Sequence, residues 1–154
     1  MNWPSKTKIL EIRGEYGLDQ FQKRFERGDL CFAAYSNSEL VGFVWIEFPP
    51  GTEAGSPLLM EETYTYDGWT FEKYRGKRTL PIIQQAIMNY VRQQHKDIRK
   101  LVTHVATWNK ASLSGDQRAG YSITQRELTI VIFGFHRKIN LKGKISADLM
   151  VHYV

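Results

Sequence analysis

The chain has 154 residues, of which 42% are hydrophobic and 24% are charged, and its formal net charge at pH 7 is +5. This length suits one compact domain with an apolar core and leaves too few residues for two domains of ordinary size, so we expect a single domain over 1–154. The positive charge favours an anionic partner, which could be nucleic acid, a membrane surface or a phosphorylated small molecule.

Cys31 is the only cysteine in the sequence. A disulfide within the chain and a thiolate metal cluster are therefore excluded, which favours a reducing, cytoplasmic setting. No apolar run is long enough to span a bilayer, so we expect no membrane association. The four histidines lack the spacing of metal ligands, and we expect no metal site.

The N-terminal part of the sequence predicts two short helices followed by a β-hairpin. Apolar residues at helical spacing, interrupted by Gly14 and Gly17, predict the two helices within Ser5 to Arg27. Two β-forming runs, Leu30 to Tyr35 and Leu40 to Phe48, flank a short polar turn and predict an antiparallel hairpin.

The rest of the sequence alternates strands and helices. A strand is predicted over Thr63 to Phe71, with a bulge at Asp67-Gly68. The clearest helix is predicted over Leu80 to Gln94, because its apolar residues recur at i, i+3, i+4 and i+7. The remaining predicted elements are a strand over Lys100 to Thr107, a helix over Asn109 to Arg118, and strands over Ser122 to Phe133 and Phe135 to Tyr153. This order predicts an α/β domain with a mixed sheet.

A basic segment connects the Thr63 to Phe71 strand to the clearest helix. Four positive charges lie within it, on Lys73, Arg75, Lys77 and Arg78. The free N–H groups at a helix N-terminus bind anions, so the segment is a candidate phosphate site. Charge and position alone are equally compatible with a solvated basic loop that begins a helix.

Several short motifs lie in this part of the chain, and the first is Tyr74-Arg75-Gly76-Lys77. It resembles the opening of a pyrophosphate-binding loop, Arg/Gln-x-x-Gly-x-Gly/Ala, of the GCN5-related N-acetyltransferase (GNAT) superfamily. A later family signature is matched in register by Asn109, Ser112, Gly120 and Tyr121. The hairpin within Leu30 to Glu47 is similar as well. Each motif is weak alone, and their order and spacing carry the resemblance, which spans Leu30 to Phe133.

The resemblance implies a GNAT-like α/β (α+β) fold, with a mixed, mostly antiparallel central sheet, a splay between two parallel strands, and flanking helices. It implies an N-acyltransferase that transfers an acetyl group from acetyl-coenzyme A to a primary amine of a small molecule or peptide. We expect no nucleic-acid partner, because no recognition signature accompanies the basic residues. The family usually begins with a strand that is not evident here, so two interpretations stay open: the first strand is absent, or the chain is a trimmed domain of a longer protein. A homodimer is one assembly open to such a domain.

The resemblance also assigns the site residues by position. The strand backbone at Trp69, Thr70 and Phe71 would pair with pantetheine, the loop residues Arg75, Gly76, Lys77, Arg78 and Thr79 would hold the pyrophosphate, and Asn109 with Ser112 would contact the cofactor. A base is needed to take a proton from the attacking amine. Asp67, Glu62 and Glu61 are the candidates because they lie at or within the strand that would present the thioester, and Asp67 is preferred.

Three residues depart from the family pattern. Arg78 and Leu80 replace small residues of the loop, where a side chain would obstruct the backbone's approach to pyrophosphate, unless Arg78 points outward and contacts a phosphate. Many relatives have a Tyr seven residues after Asn109 that protonates the leaving thiolate, and this chain has Asp116 there. Because an ionised aspartate cannot donate a proton, solvent, Ser114 or the substrate would have to do so, or coenzyme A would leave as the thiolate. These departures favour an alternative function, a non-catalytic GNAT-like module for acyl-coenzyme A binding or interaction.

Overall fold

The structure is a computed structural model that describes residues 5–51, 53, 57–124, 127–132 and 135–140. The helices are α1 (Lys6–Arg27), α2 (Thr79–Gln94) and α3 (Lys110–Ala119). The strands are β1 (Leu30–Ser36), β2 (Glu39–Glu47), β3 (Glu62–Thr70), β4 (Lys100–Thr103), β5 (Glu127–Ile132) and β6 (Phe135–Asn140). The part of the predicted last strand beyond Asn140 lies outside the described residues.

The main sheet has the strand order β1-β2-β3-β4. Its first three strands are antiparallel neighbours, and β3 and β4 are parallel, which confirms the expected mixed and mostly antiparallel sheet. The parallel pairing joins Glu62 through Thr65 to Lys100 through Thr103 and then stops, although β3 continues to Thr70. The two strands therefore separate at one end of the sheet. β5 and β6 form an antiparallel pair of their own.

Strand β2 lies at the centre of the core, with one helix layer on each face of the sheet. Its side chains alternate, so that Phe43 and Trp45 pack with residues of α1, while Val44 and Ile46 pack with residues of α2. All four are at most 1% exposed, and burial of each such side chain stabilises the fold by about 1.5–3 kcal/mol. Within the described residues, no helix is long and apolar enough to cross a membrane.

Helix α1 contains the glycine break that the sequence predicts, but at one glycine only. Gly14 has φ 64° and ψ −171°, which interrupts the helical backbone, and Gly17 lies buried in the continuing helix. The helix begins after Ser5, whose side chain accepts a hydrogen bond from the N–H of Lys8, and it ends at Gly28 in the left-handed conformation.

The predicted bulge in β3 is also present. Phe43 pairs with Trp69 and Trp45 pairs with Tyr66, so that only Val44 stands opposite the two residues Asp67 and Gly68. Asp67 has φ 44°, a conformation that accommodates the extra residue. Strand β4, in contrast, ends at Thr103 rather than at Thr107, because its pairing with β3, its neighbour among the described strands, ends there as well.

Gly42 allows close contact between β2, β3 and α2. A Cβ atom at this position would lie 2.7 Å from the carbonyl oxygen of Trp69 and 3.0 Å from Cγ2 of Thr79. Since a backbone oxygen in a sheet cannot move away cheaply, we expect Gly42→Ala to lower the free energy of unfolding by about 1–3 kcal/mol. The change is measured by urea denaturation.

Gly68→Ala is the matched control for this prediction. Its Cβ would meet Val44 at 3.4 Å and Leu80 at 3.6 Å, which are ordinary contacts with side chains. We expect this variant to unfold within about 1 kcal/mol of the wild type. If Gly42→Ala and Gly68→Ala lowered the free energy of unfolding equally, close contact at Gly42 would not be the cause of the destabilisation.

Candidate functional site

A cavity of about 60 Å³ lies where β3 and β4 separate. It is enclosed by the bulged end of β3, the residues that follow β4, the first turns of α2 and one face of α3. The lining residues are Val44, Thr65, Tyr66, Asp67, Gly68, Leu80, Gln84, Thr103, His104, Val105, Ser112 and Asp116. We call this cavity the cleft. A larger depression of about 380 Å³ lies at the other end of β3, beside Glu61 and Arg99.

The loop from Phe71 to Arg78 joins β3 to the N-terminus of α2. Gly76 and Arg78 both have left-handed backbones, with φ 76° and 62°. Arg78 stands where the family pattern has glycine, so the backbone keeps a glycine-type conformation at a cost of about 1–2 kcal/mol. The N–H groups of Gly76, Arg78 and Thr79 donate to no other backbone group in the described part of the chain. They are available to an anion.

The four basic side chains of the loop have different surroundings. Lys73 Nζ lies 2.7 Å from Oε2 of Glu39, and the Tyr74 hydroxyl donates to the same oxygen at 2.7 Å. The hydrogen bond from Lys73 lowers the pKa of the Glu39 carboxyl. Glu39 therefore ties the loop to the start of β2, a contact that no motif in the sequence indicates.

Arg75, Lys77 and Arg78 are exposed, and none of them forms an ion pair with a described residue. Arg75 lies over the Trp69 ring at 5.8 Å from the centroid, and its Nε donates to the carbonyl of Thr70 at 3.3 Å. Three positive charges rather than four are thus free to meet an anionic ligand beside the start of α2.

The backbone groups predicted to meet pantetheine are not equally accessible. The N–H of Phe71 donates to the carbonyl of Val41 at 3.1 Å, and the carbonyl of Phe71 accepts from the N–H of Tyr74 at 2.8 Å. Both groups of Phe71 are therefore occupied within the protein. Trp69 and Thr70 lie on the part of β3 that β4 no longer pairs with. The carbonyl of Trp69 lies against Gly42 of β2, and the carbonyl of Thr70 accepts from Arg75, so the pairing of these residues with a ligand stays a prediction.

Two of the three carboxylates predicted as bases, Asp67 and Glu62, lie far apart and are both ion-paired. Asp67 accepts from Arg13 at 2.6 Å and from Arg24 at 2.5 Å, one guanidinium on each oxygen. Glu62 lies 3.2 Å from Lys100 at the opposite end of β3, about 16 Å away along the strand. Only Asp67 lines the cleft. Each would have to give up an ion-pair contact to accept a proton from an amine, and the assignment of a base stays a prediction.

A chain of hydrogen bonds, partly to fully buried, includes three residues that line the cleft: Thr65, Gln84 and Asp116. Tyr121 lies with its hydroxyl 3.2 Å from Thr65 Oγ1 and donates to Gln84 Oε1 at 3.0 Å, while Gln84 Nε2 donates to Asp116 Oδ1 at 3.2 Å. Asp116 is 5% exposed. Its burial raises the pKa of the carboxyl to about 6, and the bond from Gln84 opposes this shift only in part.

Asp116 was expected from the sequence to be an ionised group, and its place in the cleft was missed. The signal that could have found it is the spacing on α3, where Ser112, Asp116 and Ala119 share one helix face with the small residue Gly115 beside them. The other proton source considered from the sequence, Ser114, does not line the cleft.

Asn109 and Ser112 have a local structural role at the start of α3. The side-chain oxygen of Asn109 accepts a hydrogen bond from the N–H of Ser112 at 3.1 Å, which caps the helix. Ser112 also lines the cleft. Their predicted contact with a cofactor stays a prediction.

Leu80 fills the space between β3 and α3. A Cβ atom added to Gly115 would lie 2.8 Å from Cδ2 of Leu80, and one added to Gly68 would lie 3.6 Å from its Cδ1. The leucine side chain thus extends between two glycines on opposite walls. Leu80 is one of the residues that line the cleft.

Comparison with solved structures identifies the fold. The chain is similar to an acetyltransferase of the GNAT family from Streptococcus pneumoniae, with a TM-score of 0.55 and 14% identity over 84% of this chain and 74% of the other. It is similar to the aminoglycoside acetyltransferase AAC(6')-Ib in complex with coenzyme A and kanamycin, with a TM-score of 0.60 and 13% identity over 87% and 80%.

A third similar structure is RimL, a ribosomal L7/L12 alpha-N-protein acetyltransferase in complex with coenzyme A, with a TM-score of 0.58 and 18% identity over 91% of this chain and 75% of the other. No protein-family model and no curated protein matches the sequence. Together with the splayed parallel strands and the bulged β3, the structural matches establish that this chain has the fold of the GNAT acetyltransferases.

Proposed function

We propose that the protein is an N-acetyltransferase that uses acetyl-coenzyme A to acetylate a primary amine. One observation carries the proposal: the splay of β3 from β4 brings a cleft together with a helix N-terminus whose amides are free and whose three neighbouring cations have no ion pair within the described residues. A ligand with an extended arm and a polyanionic end matches this arrangement, and coenzyme A has both.

Different residues of this chain would bind different parts of coenzyme A. The amides of Gly76, Arg78 and Thr79 would hold the pyrophosphate together with the side chains of Lys77 and Arg78. The backbone of Trp69 and Thr70 would pair with the pantetheine arm, which supplies the activated acetyl group in the cleft. Phe71 is left out because its backbone groups are already bonded. Arg75, Asn109 and Ser112 are further proposed contacts.

The acceptor is proposed only as a class, an amine of a small molecule or a peptide. Of the proteins with this fold, one is in complex with the aminoglycoside kanamycin and another is named for a ribosomal protein. We propose that the acceptor amine of this protein reaches the cleft from the solvent side.

Isothermal titration with acetyl-coenzyme A, free coenzyme A and pantetheine tests the cofactor. We expect the two nucleotide-containing ligands to bind at least about tenfold more tightly than pantetheine, because only they carry the phosphates. No heat of binding for either at millimolar concentration would contradict the proposal.

Turnover is tested with an amine panel of aminoglycosides, polyamines and peptides with free N-termini, by measuring the release of the coenzyme A thiol. We expect at least one amine to accelerate the release over the rate without acceptor. Binding of acetyl-coenzyme A without acceleration by any amine would instead indicate a non-catalytic binding module.

A further inference from the structure

The carboxylate of Asp67 links the cleft to two arginine side chains of α1. Asp67 lines the cleft at the bulge of β3, where its Oδ1 lies 2.6 Å from Nη2 of Arg13 and its Oδ2 lies 2.5 Å from Nη1 of Arg24. No other carboxylate pairs with either guanidinium among the residues that the structure describes. Two positive charges thus face one negative charge, and we call these three residues the arginine cluster. It leaves an excess of positive charge on the α1 side of the cleft.

Two N–H donors at the arginine cluster have no acceptor. Arg13 donates to Asp67 through Nη2, whereas its Nε is buried and donates to no described residue. Cζ of Arg13 lies 4.7 Å from the centroid of the Trp69 ring, and the indole N–H of Trp69 is also buried and has no acceptor within the described ranges. Buried donors without an acceptor cost stability and are few in native proteins. A ligand that binds between these two side chains would supply the missing acceptor.

The backbone of α1 places Arg13 in this position and leaves it accessible. Gly14 interrupts the helix directly after Arg13. A Cβ atom added to Gly17 would lie 2.0 Å from Cβ of Arg13, so only glycine at that position leaves room for the arginine. The side chain of Arg13 is 32% exposed and that of Asp67 is 23% exposed. A ligand can therefore reach the arginine cluster from solvent while another part of it extends toward the cleft.

We infer that the acceptor amine carries a carboxylate, which Arg13 and Arg24 bind on the α1 side of the cleft. The inference rests on the proposed transferase function and names the class of acceptor, an amino acid or a peptide with a nearby acidic group. One carboxylate balances the excess positive charge of the arginine cluster. The planar guanidinium matches a carboxylate in shape and binds it through paired hydrogen bonds, and Asp67 accepts from only one nitrogen of each arginine.

The same charge disfavours acceptors that have several amines and no acidic group. Aminoglycosides and polyamines would bring further positive charges close to two guanidinium groups, and like charges repel at short range. Within the amine panel, we therefore expect peptides with a free carboxylate to be acetylated with a higher kcat/KM than polyamines.

Matched pairs of acceptors test the carboxylate. Each pair is an ω-amino acid, or a dipeptide, and its primary amide, so that both members present the same amine and differ in the charge at the other end. The ω-amino acids have carbon chains of increasing length. kcat/KM is measured with acetyl-coenzyme A at low salt in a buffer without carboxylate or phosphate. For the best pair, we expect the acid to exceed the amide by at least about tenfold, which corresponds to one charge-assisted hydrogen bond. A ratio within about twofold of unity for every pair would overturn the inference.

Arg13→Gln tests the residue. We expect the ratio of kcat/KM for the acid to kcat/KM for its amide to fall to within about twofold of unity. Because both acceptors undergo the same chemical step, this ratio is insensitive to an effect of the substitution on that step. Arg13→Lys keeps the charge but loses the planar fork, so an intermediate ratio is expected.

Lys23→Gln is the matched control, since Lys23 is an exposed residue of the same helix and the substitution removes the same charge. We expect it to keep the ratio of the wild type. A role of Arg13 in stability alone would leave the ratio unchanged, so an Arg13→Gln protein with the full preference for the acid would overturn the inference.

Binding without turnover separates this inference from the transferase proposal. Each acid and its amide are titrated calorimetrically into the wild type and Arg13→Gln, with and without free coenzyme A, which has no acetyl group to transfer. Tighter binding of an acid that is lost in Arg13→Gln supports the carboxylate site, and if no amine is then acetylated, only the transferase proposal is overturned. Turnover without preference for the acid overturns only the inference, and the absence of both turnover and selective binding overturns both.

Thermal unfolding verifies that each variant folds. Arg13→Lys retains a cation beside Asp67 and decides the question if Arg13→Gln does not fold. A ratio equal to that of the wild type in Arg13→Lys would then overturn the inference, because a lysine cannot reproduce the paired hydrogen bonds of a guanidinium.

Discussion

Replacement of both Lys77 and Arg78 by alanine is expected to weaken the affinity for coenzyme A by about 30-fold. Both side chains are exposed beside the start of α2 and have no ion pair within the described residues. A charge-assisted bond to phosphate at such a solvent-screened position contributes about 1 kcal/mol, and two contribute about 2 kcal/mol. The change is measured by isothermal titration at 50 mM salt, where screening is weak.

Lys73→Ala is the matched control, because Lys73 belongs to the same loop but is bonded to Glu39. We expect its affinity for coenzyme A to stay within about threefold of the wild type. The double variant should also show a shallower dependence of affinity on salt, since fewer charges remain to be screened. If Lys73→Ala lost as much affinity for coenzyme A as the double variant, the proposal that Lys77 and Arg78 contact phosphate and Lys73 does not would be wrong.

Asp67→Ala is expected to lower the free energy of unfolding by about 2–3 kcal/mol. The change leaves the guanidinium groups of Arg13 and Arg24 facing each other without their common carboxylate. Breaking a buried ion pair costs about 3–5 kcal/mol, and the partial exposure of Asp67, at 23%, reduces this cost. The loss is measured by urea denaturation at pH 7.

Asp19→Ala provides the comparison, since the pair of Asp19 with Lys23 is exposed and screened by solvent, so this variant is expected to unfold like the wild type. Asp67→Asn then addresses the predicted role as a base. If Asp67 only stabilises the fold, the Asp67→Asn variant keeps the turnover rate of the wild type while its free energy of unfolding falls. A folded Asp67→Asn protein that acetylates the amine at least about 100-fold more slowly than the wild type would support the base.

The elements with strong local patterns were predictable from the sequence. The β-hairpin and α2 follow from alternation and from helical spacing, which neighbouring residues determine. The bulge at Asp67-Gly68 was predictable because an aspartate and a glycine interrupt a β-forming run. Strand β4 was predicted too long, since the residues after Thr103 favour a strand, but none of the strands that the structure describes pairs with them.

The surroundings of the site depend on contacts between segments that are distant in the sequence. Arg13 and Arg24 reach Asp67 from α1, and nothing near Asp67 in the sequence points to them. The acidity of Asp116 likewise follows from the packing of α3 against α2, which buries it beside Gln84. A sequence gives the ordinary pKa of a carboxyl, whereas its environment comes only with the fold.

The role of Arg78 could be predicted from the sequence only in part. The sequence identified it as a departure from glycine, and an obstruction of the phosphate-binding backbone was one of its two expected consequences. The backbone at Arg78 nevertheless adopts the left-handed conformation that glycine would have, and the side chain is exposed. The departure therefore leaves the amides at the start of α2 available, while it adds a charge beside them.

The side chain of Leu80 lines the cleft between Gly68 and Gly115. Under the proposed function, we expect a pantetheine arm to enter the cleft after this side chain has turned to another rotamer. The dissociation constant measured for coenzyme A would then be the intrinsic one divided by the fraction of molecules in which the leucine has turned. A preference of about 1.4 kcal/mol for the rotamer described here would make binding about tenfold weaker.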